Sequence, residues 1–251
     1  MSIHADRILA VRTSKILYLD GDRVEKVFDK DYSKADVLNE ALNQARVEET
    51  GLSIPKIFGV LRLEGKWTIE SEYIEGDKLQ QLMVDHPERY DEYLDLFTAL
   101  QCQVHRQSVP LMTNLFDKMT RKIEISGLPE QTRAALLERL AGLERKNALC
   151  HGDFIPSNVL VRSDGTPFVL DWSHATQGNP AADAARTYLL FCMQGREDTA
   201  EKYMALFCQK SGTAEESVRA WLGVVAASHL VKGRFGERAF MMKWIDGASG
   251  T

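Results

Sequence analysis

Leu149-Cys150-His151-Gly152-Asp153-Phe154-Ile155-Pro156-Ser157-Asn158-Val159-Leu160-Val161, with Val169-Leu170-Asp171-Trp172 shortly after it, is the stretch that decides the fold. Two short apolar runs flank a polar loop, and Asp153, Asn158 and Asp171 sit at their ends. Asn158 opens the strand Val159–Val161. Ser163-Asp164-Gly165-Thr166 is strong turn chemistry, because Asp-Gly supplies positive φ readily. Phe168-Val169-Leu170 then returns as a second strand and delivers Asp171. This hairpin is expected to bring Asn158 and Asp171 together, with Asp153 on the loop that enters it. The residue types suit phosphoryl transfer. One carboxylate can take the proton of an attacking hydroxyl, while an amide oxygen and a second carboxylate hold magnesium against nucleotide phosphates.

Each residue also has an ordinary reading, Asp as a turn former and Asn as a cap. A sharper rival is a metal hydrolase, since His151, Asp153, Asp171 and His174 read as H-x-D and D-x-x-H. Imidazole with carboxylate suits zinc, manganese or iron. The other histidines, His4, His86, His105 and His229, are scattered, and this rival gives Asn158 no task.

Towards the start of the chain, Val24-Glu25-Lys26-Val27-Phe28 alternates as a strand does. Lys26 shares a face with Val24 and Phe28, where an apolar residue is expected. A buried lysine needs an anion, either nucleotide phosphates or a carboxylate on the next helix. That helix is expected to start at Ser33, with Asp36 three residues on as a weak capping box. Leu38, Ala41, Leu42 and Ala45 form its expected core stripe. Glu40 falls on another stripe with Val37, Gln44 and Val47.

Strand-like segments dominate the opening: Ile8–Val11, Ile16–Leu19, Val24–Phe28, Ile57–Leu63 and Trp67–Tyr73, with Glu64-Gly65-Lys66 turning the last pair. After Gly76 the pattern is helical apart from the hairpin, over Tyr90–Val104, Pro129–Leu143, Asp183–Met193, Ala200–Lys210 and Ala214–Val231. Strands first and helices later is an α+β pattern.

The 251 residues are 44% hydrophobic and 27% charged, ordinary values for a soluble globular protein. A net charge of −5 argues against an extended nucleic-acid surface. No segment has the roughly 18 apolar residues of a membrane span, and the start lacks the apolar run of a signal peptide. Cys102, Cys150, Cys192 and Cys208 show no paired spacing and read as small core residues in a reducing compartment. The expected location is the cytoplasm.

HGDFIPSN followed by VLDW resembles the aminoglycoside phosphotransferase and choline kinase family, small-molecule kinases with a protein-kinase-like fold. The resemblance is close over residues 149–187 and loose over the rest of the chain. It implies a bilobal α+β protein with a strand-rich nucleotide-binding lobe at 1–75 and a mainly helical catalytic and acceptor-binding lobe at 76–251, facing each other across a cleft. It implies that Asp153 is the catalytic base, that Asn158 and Asp171 are magnesium ligands, and that His151 braces the loop. Asp183 would be the buried carboxylate that steadies the catalytic loop, besides being favoured near a helix start. Lys26 would pair with Glu40. Glu72-Tyr73-Ile74-Glu75-Gly76 would be the hinge, with the backbone at Glu72 and Ile74 binding adenine.

There are departures from the family pattern. The phosphate-covering loop falls at Arg12-Thr13-Ser14-Lys15 and has no glycine; Ser14 is the candidate contact there. Trp172-Ser173 stands where protein kinases have Phe-Gly. The implied cofactors are ATP or GTP and Mg²⁺, and the implied partner is a small-molecule hydroxyl acceptor, with neither nucleic acid nor membrane. Trp221, His229, Arg234, Glu237 and Trp244 are candidates for the acceptor pocket, although at helical spacing Trp221 reads first as core. Two function classes follow: an active small-molecule kinase, or a catalytically silent nucleotide- or metabolite-binding module of the same fold.

Overall fold

The structure is a computed structural model that describes residues 7–231 and 235–246. The first residues of the chain and the candidate Arg234 lie outside that range. The chain divides into two compact units. One comprises residues up to Asp85 together with Pro156–His174, and the other His86–Ile155 together with Ala175 onward.

The first unit is built on an antiparallel sheet. Its strands are β1 (Arg7–Val11), β2 (Lys15–Asp20), β3 (Arg23–Phe28), β4 (Ile57–Leu63) and β5 (Lys66–Glu72), in the spatial order β1-β2-β3-β5-β4. The expected strands are therefore all present. The last pair turns through Glu64-Gly65, both at positive φ (49° and 79°), as a two-residue hairpin requires. Helix α1 (Lys34–Glu48) starts at Ser33, whose hydroxyl accepts the Asp36 N–H at 3.4 Å. Its Val37 and Ala41 join Phe28 and Ile69 in a buried cluster, with Tyr32, Ile57, Val60 and Trp67 around it.

The expected core stripe of α1 is wrong in two of its members. Leu38 and Leu42 are 43% and 47% exposed. The buried line is Val37, Glu40, Ala41, Gln44 and Val47. The reason is chemical: the sheet face beneath α1 carries Lys26, so the helix turns a carboxylate inward. The amide N–H groups of two neighbours on the helix find backbone acceptors. Gln44 donates to the carbonyl of Pro55 at 2.8 Å, and Asn43 to that of Trp172 at 3.4 Å.

After β5 the chain forms β6 (Asp77–Lys78) and helix α2 (Leu79–Asp85). The hairpin Val159–Val161 with Pro167–Val169 adds to β6, pairing Lys78 with Leu160 and Asp77 with Val161. Gly76 admits this approach, because a Cβ there would lie 2.5 Å from both the Leu160 side chain and the Val161 carbonyl. The first compact unit thus runs past residue 75 and takes in the hairpin.

The second unit is mainly helical: α3 (Tyr90–His105), α4 (Leu115–Glu124), α5 (Glu130–Gly142), α6 (Pro180–Met193), α7 (Glu197–Ser211), α8 (Glu215–Arg219), α9 (Leu222–His229) and α10 (Phe235–Asp246). A short antiparallel pair, Ala148–Cys150 with Thr176–Gly178, accompanies them. Phe97, Phe154, Phe191 and Tyr203 form its aromatic core. The expected helix Ala214–Val231 is broken at Ala220-Trp221. There the Arg139 guanidinium takes the Ala220 carbonyl at 3.1 Å, and Trp221 tightens to an i→i+3 bond with Val218. Among the described residues no helix is long and apolar enough to cross a membrane.

Candidate active site

In the first unit, β3 and α1 set one ion pair. Lys26 Nζ donates to Glu40 Oε1 at 2.5 Å, with the two side chains 15% and 4% exposed. Burial works against the charge on Lys26. The carboxylates of Asp171 and Glu40 outweigh it and raise the pKa above the ordinary lysine value.

The hairpin brings Asn158 and Asp171 together through its backbone, since Leu170 donates its N–H to the Asn158 carbonyl at 2.8 Å. Asp171 has φ +63°, a left-handed conformation that costs an L-residue energy and is tolerated best by Asp, Asn and Gly. Its neighbours hold it there. Trp172 is fully buried, its indole donates to the Val169 carbonyl at 3.2 Å, and Asn43 takes its own carbonyl.

Lys26, Asn158 and Asp171 line a cavity of about 270 Å³ in this unit, and so do Glu72 and Ile74. The lining carries five cations, Arg7, Arg12, Lys15, Lys26 and Lys78, against the carboxylates Glu72 and Asp171. On a chain of net charge −5, that local excess suits a polyanion. Burial first, and then Arg12, lower the pKa of Lys78, as expected where cations crowd without an anion between them. Backbone bonds already occupy the N–H groups of Glu72, which donates to Lys56, and Tyr73, which donates to Asp22.

Ser14 lies in the β1–β2 turn, closed by the Arg12 N–H on the Lys15 carbonyl at 2.9 Å, and its own carbonyl accepts the Asp29 N–H at 3.0 Å. Its neighbours Arg12 and Lys15 line the cavity instead. The sequence reading missed Lys15. The signal was present in the register, since Lys15 pairs with Phe28 and Leu17 with Lys26. Directly paired residues share a sheet face, so Lys15 stands on the face of Lys26.

Two oxygen donors, one amide and one carboxylate, are a donor set for a hard cation that keeps other ligands from waters and phosphates. Among the described residues no group of three or more His, Cys, Asp and Glu side chains could hold a metal by itself. The residues therefore fit magnesium carried on a nucleotide.

In the second unit, the loop at 151–154 is gripped from two helices. Asp183 and Thr187 lie one turn apart on α6, and Gln101 and His105 one turn apart on α3. The Asp183 carboxylate accepts the N–H of His151 at 3.1 Å and of Gly152 at 2.6 Å, and it lies 2.9 Å from His105 Nε2 and 3.3 Å from Gln101 Nε2. Thr187 donates to the Phe154 carbonyl at 2.9 Å. Gly152, at φ +79°, makes the backbone reversal that points successive N–H groups at one carboxylate. Burial would raise the pKa of Asp183; the hydrogen bond and charge of His105, then His151 and the Gly152 N–H, outweigh it and hold the carboxyl at about 2. His151 is fully buried, and its Nδ1 accepts the Asp153 N–H at 3.2 Å.

The Asp153 carboxylate lies 3.8 Å from Arg186 Nη2. Arg186 also donates to His229 Nδ1, and His229 Nε2 lies 3.0 Å from Glu237 Oε2. Burial and then the Arg186 charge lower the His229 pKa against the opposing pull of Glu237. Because a guanidinium only donates, Nδ1 is the acceptor and Nε2 carries the proton that faces Glu237. Two acceptor-pocket candidates, His229 and Glu237, are thus brought together, with Arg186 as the member sequence reading missed. Trp221 is core, edge-on to Phe116 at 5.4 Å, while Trp244 lies edge-on to Tyr188 at 5.8 Å.

The sequence model described as the phosphotransferase enzyme family matches residues 10–221. No curated protein matches the chain by sequence. Solved structures resemble it in fold. The aminoglycoside phosphotransferase APH(4)-Ia is 17% identical, with a TM-score of 0.70 over 98% of this chain and 93% of that one. The choline kinase LicA from Streptococcus pneumoniae is 15% identical, with a TM-score of 0.67 over 98% and 95%. A thermostable mutant of APH(4)-Ia, solved in ternary complex with AMP-PNP and hygromycin B, is 18% identical, with a TM-score of 0.64 over 98% and 94%. By the match over residues 10–221, the chain belongs to the phosphotransferase enzyme family, as an enzyme whose acceptor is an alcohol group of a small molecule.

Proposed function

We propose that the chain moves the γ-phosphoryl group of ATP or GTP to a hydroxyl of a small molecule, with Mg²⁺, in the cytoplasm. One observation carries this reading above the others: a cationic cavity lined by Lys26, Asn158 and Asp171, with Lys26 held by the buried Glu40 behind it. Such a cavity suits a nucleotide's phosphates better than any neutral metabolite.

In this reading Lys26 contacts phosphate oxygens, held by Glu40. Glu72 and Ile74 offer backbone to the adenine, and Ser14 lies in the turn over the phosphates. Asn158 and Asp171 hold Mg²⁺, which when bound neutralises charge on the phosphates. Asp153 orients the acceptor hydroxyl and takes its proton, while His151 and Asp183 fix the Asp153 loop. Residues 1–75 serve as the nucleotide lobe and 76–251 as the catalytic and acceptor lobe. Support for a nucleotide also comes from the APH(4)-Ia mutant, a fold relative whose complex contains AMP-PNP. Its hygromycin B and the choline of LicA's name leave aminoglycosides, choline-like alcohols and other hydroxylated metabolites as the acceptors to try.

The test is Mg²⁺-dependent ADP or GDP release across a panel of such acceptors, beside calorimetric nucleotide binding. Acceptor-stimulated release is expected. Nucleotide binding without release for any acceptor would favour the silent module of the same fold. Absence of both would refute the reading.

A further inference from the structure

The proposed roles leave Lys15 without a task, although it lines the cavity beside the Lys26–Glu40 pair. It stands at the start of β2 and lines the cavity, and its side chain is 16% exposed. Its Nζ lies 3.5 Å from Asp171 Oδ2 and 3.6 Å from Glu40 Oε1, and 5.8 Å above the Phe28 ring. With Lys26 it completes a set of two cations and two anions, which is neutral without any ligand. Lys26 is committed to Glu40 at 2.5 Å, whereas both carboxylate contacts of Lys15 are about 1 Å longer. Lys15 is therefore the loosely held member of the set, and the carboxylate it covers is the proposed metal ligand.

We infer that Lys15 is an exchangeable counter-ion: it neutralises Asp171 while the cavity holds no nucleotide, and moves onto phosphate oxygens when Asp171 takes the metal. The inference rests on the proposed nucleotide site. An ammonium and a divalent cation on one carboxylate repel each other, so Lys15 opposes binding of a bare divalent ion. A nucleotide changes the sign of its effect, because the phosphates bring an anion for Lys15 along with the metal for Asp171. Lys15 thereby couples the two ligands. The metal alone is disfavoured, and the metal–nucleotide complex is favoured. A lysine suits the exchange, being a compact charge on a flexible stem.

The experiment measures Mn²⁺ binding by electron paramagnetic resonance without nucleotide, and Mg²⁺–AMP-PNP binding by calorimetry, in the wild type, K15M and K15R. For K15M the expected result is opposite shifts. Mn²⁺ binds roughly tenfold tighter and Mg²⁺–AMP-PNP roughly tenfold weaker, the effect of one close ion pair gained or lost in each case. K15R is expected to stay near the wild type in both, and circular dichroism shows whether each variant is folded. A structural role would move both affinities in the same direction. That result, or no change in K15M beside normal wild-type binding, would overturn the role of Lys15 and leave the nucleotide site standing. A wild type that binds no AMP-PNP would overturn both.

Discussion

The Glu40 carboxylate stands between two ammonium groups, 2.5 Å from Lys26 and 3.6 Å from Lys15. The arrangement is lopsided, because one anion is shared by two cations and lies closer to Lys26 than to Lys15. Removing Lys26 leaves Lys15 to answer Glu40 and Asp171. Removing the charge of Glu40 leaves two cations facing Asp171 alone.

Glu40→Gln is therefore expected to destabilise the fold by about 3 kcal/mol, the lower end for a broken buried pair, and Lys26→Met by about 1 kcal/mol. Urea unfolding followed by fluorescence gives both values. Lys26→Met should nonetheless weaken Mg²⁺–AMP-PNP binding or lower kcat, since it removes the phosphate contact proposed for Lys26. Equal destabilisation by the two variants would contradict the sharing of Glu40.

Asp171 combines a left-handed backbone with a charge, and the two can be separated. Asparagine tolerates φ +63° nearly as well as aspartate, so Asp171→Asn removes the charge with little strain. Asp171→Ala adds a backbone cost of about 1–2 kcal/mol. Both variants are expected to lose turnover, and AMP-PNP binding to Asp171→Asn should no longer be strengthened by Mg²⁺. Only Asp171→Ala should show the additional fall in melting temperature. Magnesium-dependent turnover in Asp171→Asn would remove it from the metal site.

Much of this was legible in local sequence, and the failures have a common cause. The sheet strands were marked by alternation, the hairpin by Asp164-Gly165, and Lys26 by a charge on an apolar face, whereas its pairing with Glu40 came from the family resemblance. Register then does the rest, as the Leu170–Asn158 bond shows. What local pattern could not show is which side of an amphipathic element faces the protein. In α1 two leucines outweighed a stripe containing Glu40 and Gln44, and only the partner beneath, Lys26, makes that polar stripe the buried one. Arg186 was illegible for the same reason, since its meaning lies in Asp153, distant in sequence, whereas the β2–β3 register placed Lys15 on the face of Lys26. Helix α4 was missed despite good signals. Asn114 caps it by accepting the Phe116 N–H at 2.9 Å, and Leu115, Met119 and Ile123 repeat every four residues on one side.

Asp183 makes an acid-stability prediction. Its folded pKa is about 2 against an ordinary value of 3.8, so the folded state binds its proton less readily than the unfolded chain. The stabilisation is complete above the unfolded value and is lost as pH falls from about 4 through about 2. Its size is on the order of 2 kcal/mol. Asp183→Asn should lose this stability at neutral pH and flatten the fall between pH 4 and pH 2. Unfolding free energies measured across that range check it; an unchanged slope in the variant would assign the acid sensitivity to other carboxylates.

Asp153 carries the chemistry in the proposed reaction, and its surroundings allow a clean test. Its backbone N–H is held by His151, and the loop around it by Asp183 and Thr187, none of which depends on the Asp153 side chain. Arg186, 3.8 Å away, keeps its bond to His229 when the Asp153 charge is removed. Asp153→Asn should therefore fold normally. Losing a positioned base costs on the order of 10²–10⁴ in rate. In a loose transition state the orientation of the hydroxyl matters as much as proton removal, and an amide supplies orientation poorly. The expected result is Mg²⁺–AMP-PNP affinity within about twofold of the wild type, with acceptor-dependent ADP release reduced on the order of 10²–10⁴-fold. Calorimetry and a coupled ADP assay on one preparation give both numbers. A parallel fall in nucleotide affinity and transfer would make Asp153 part of the metal site and leave the proton of the acceptor hydroxyl without a base.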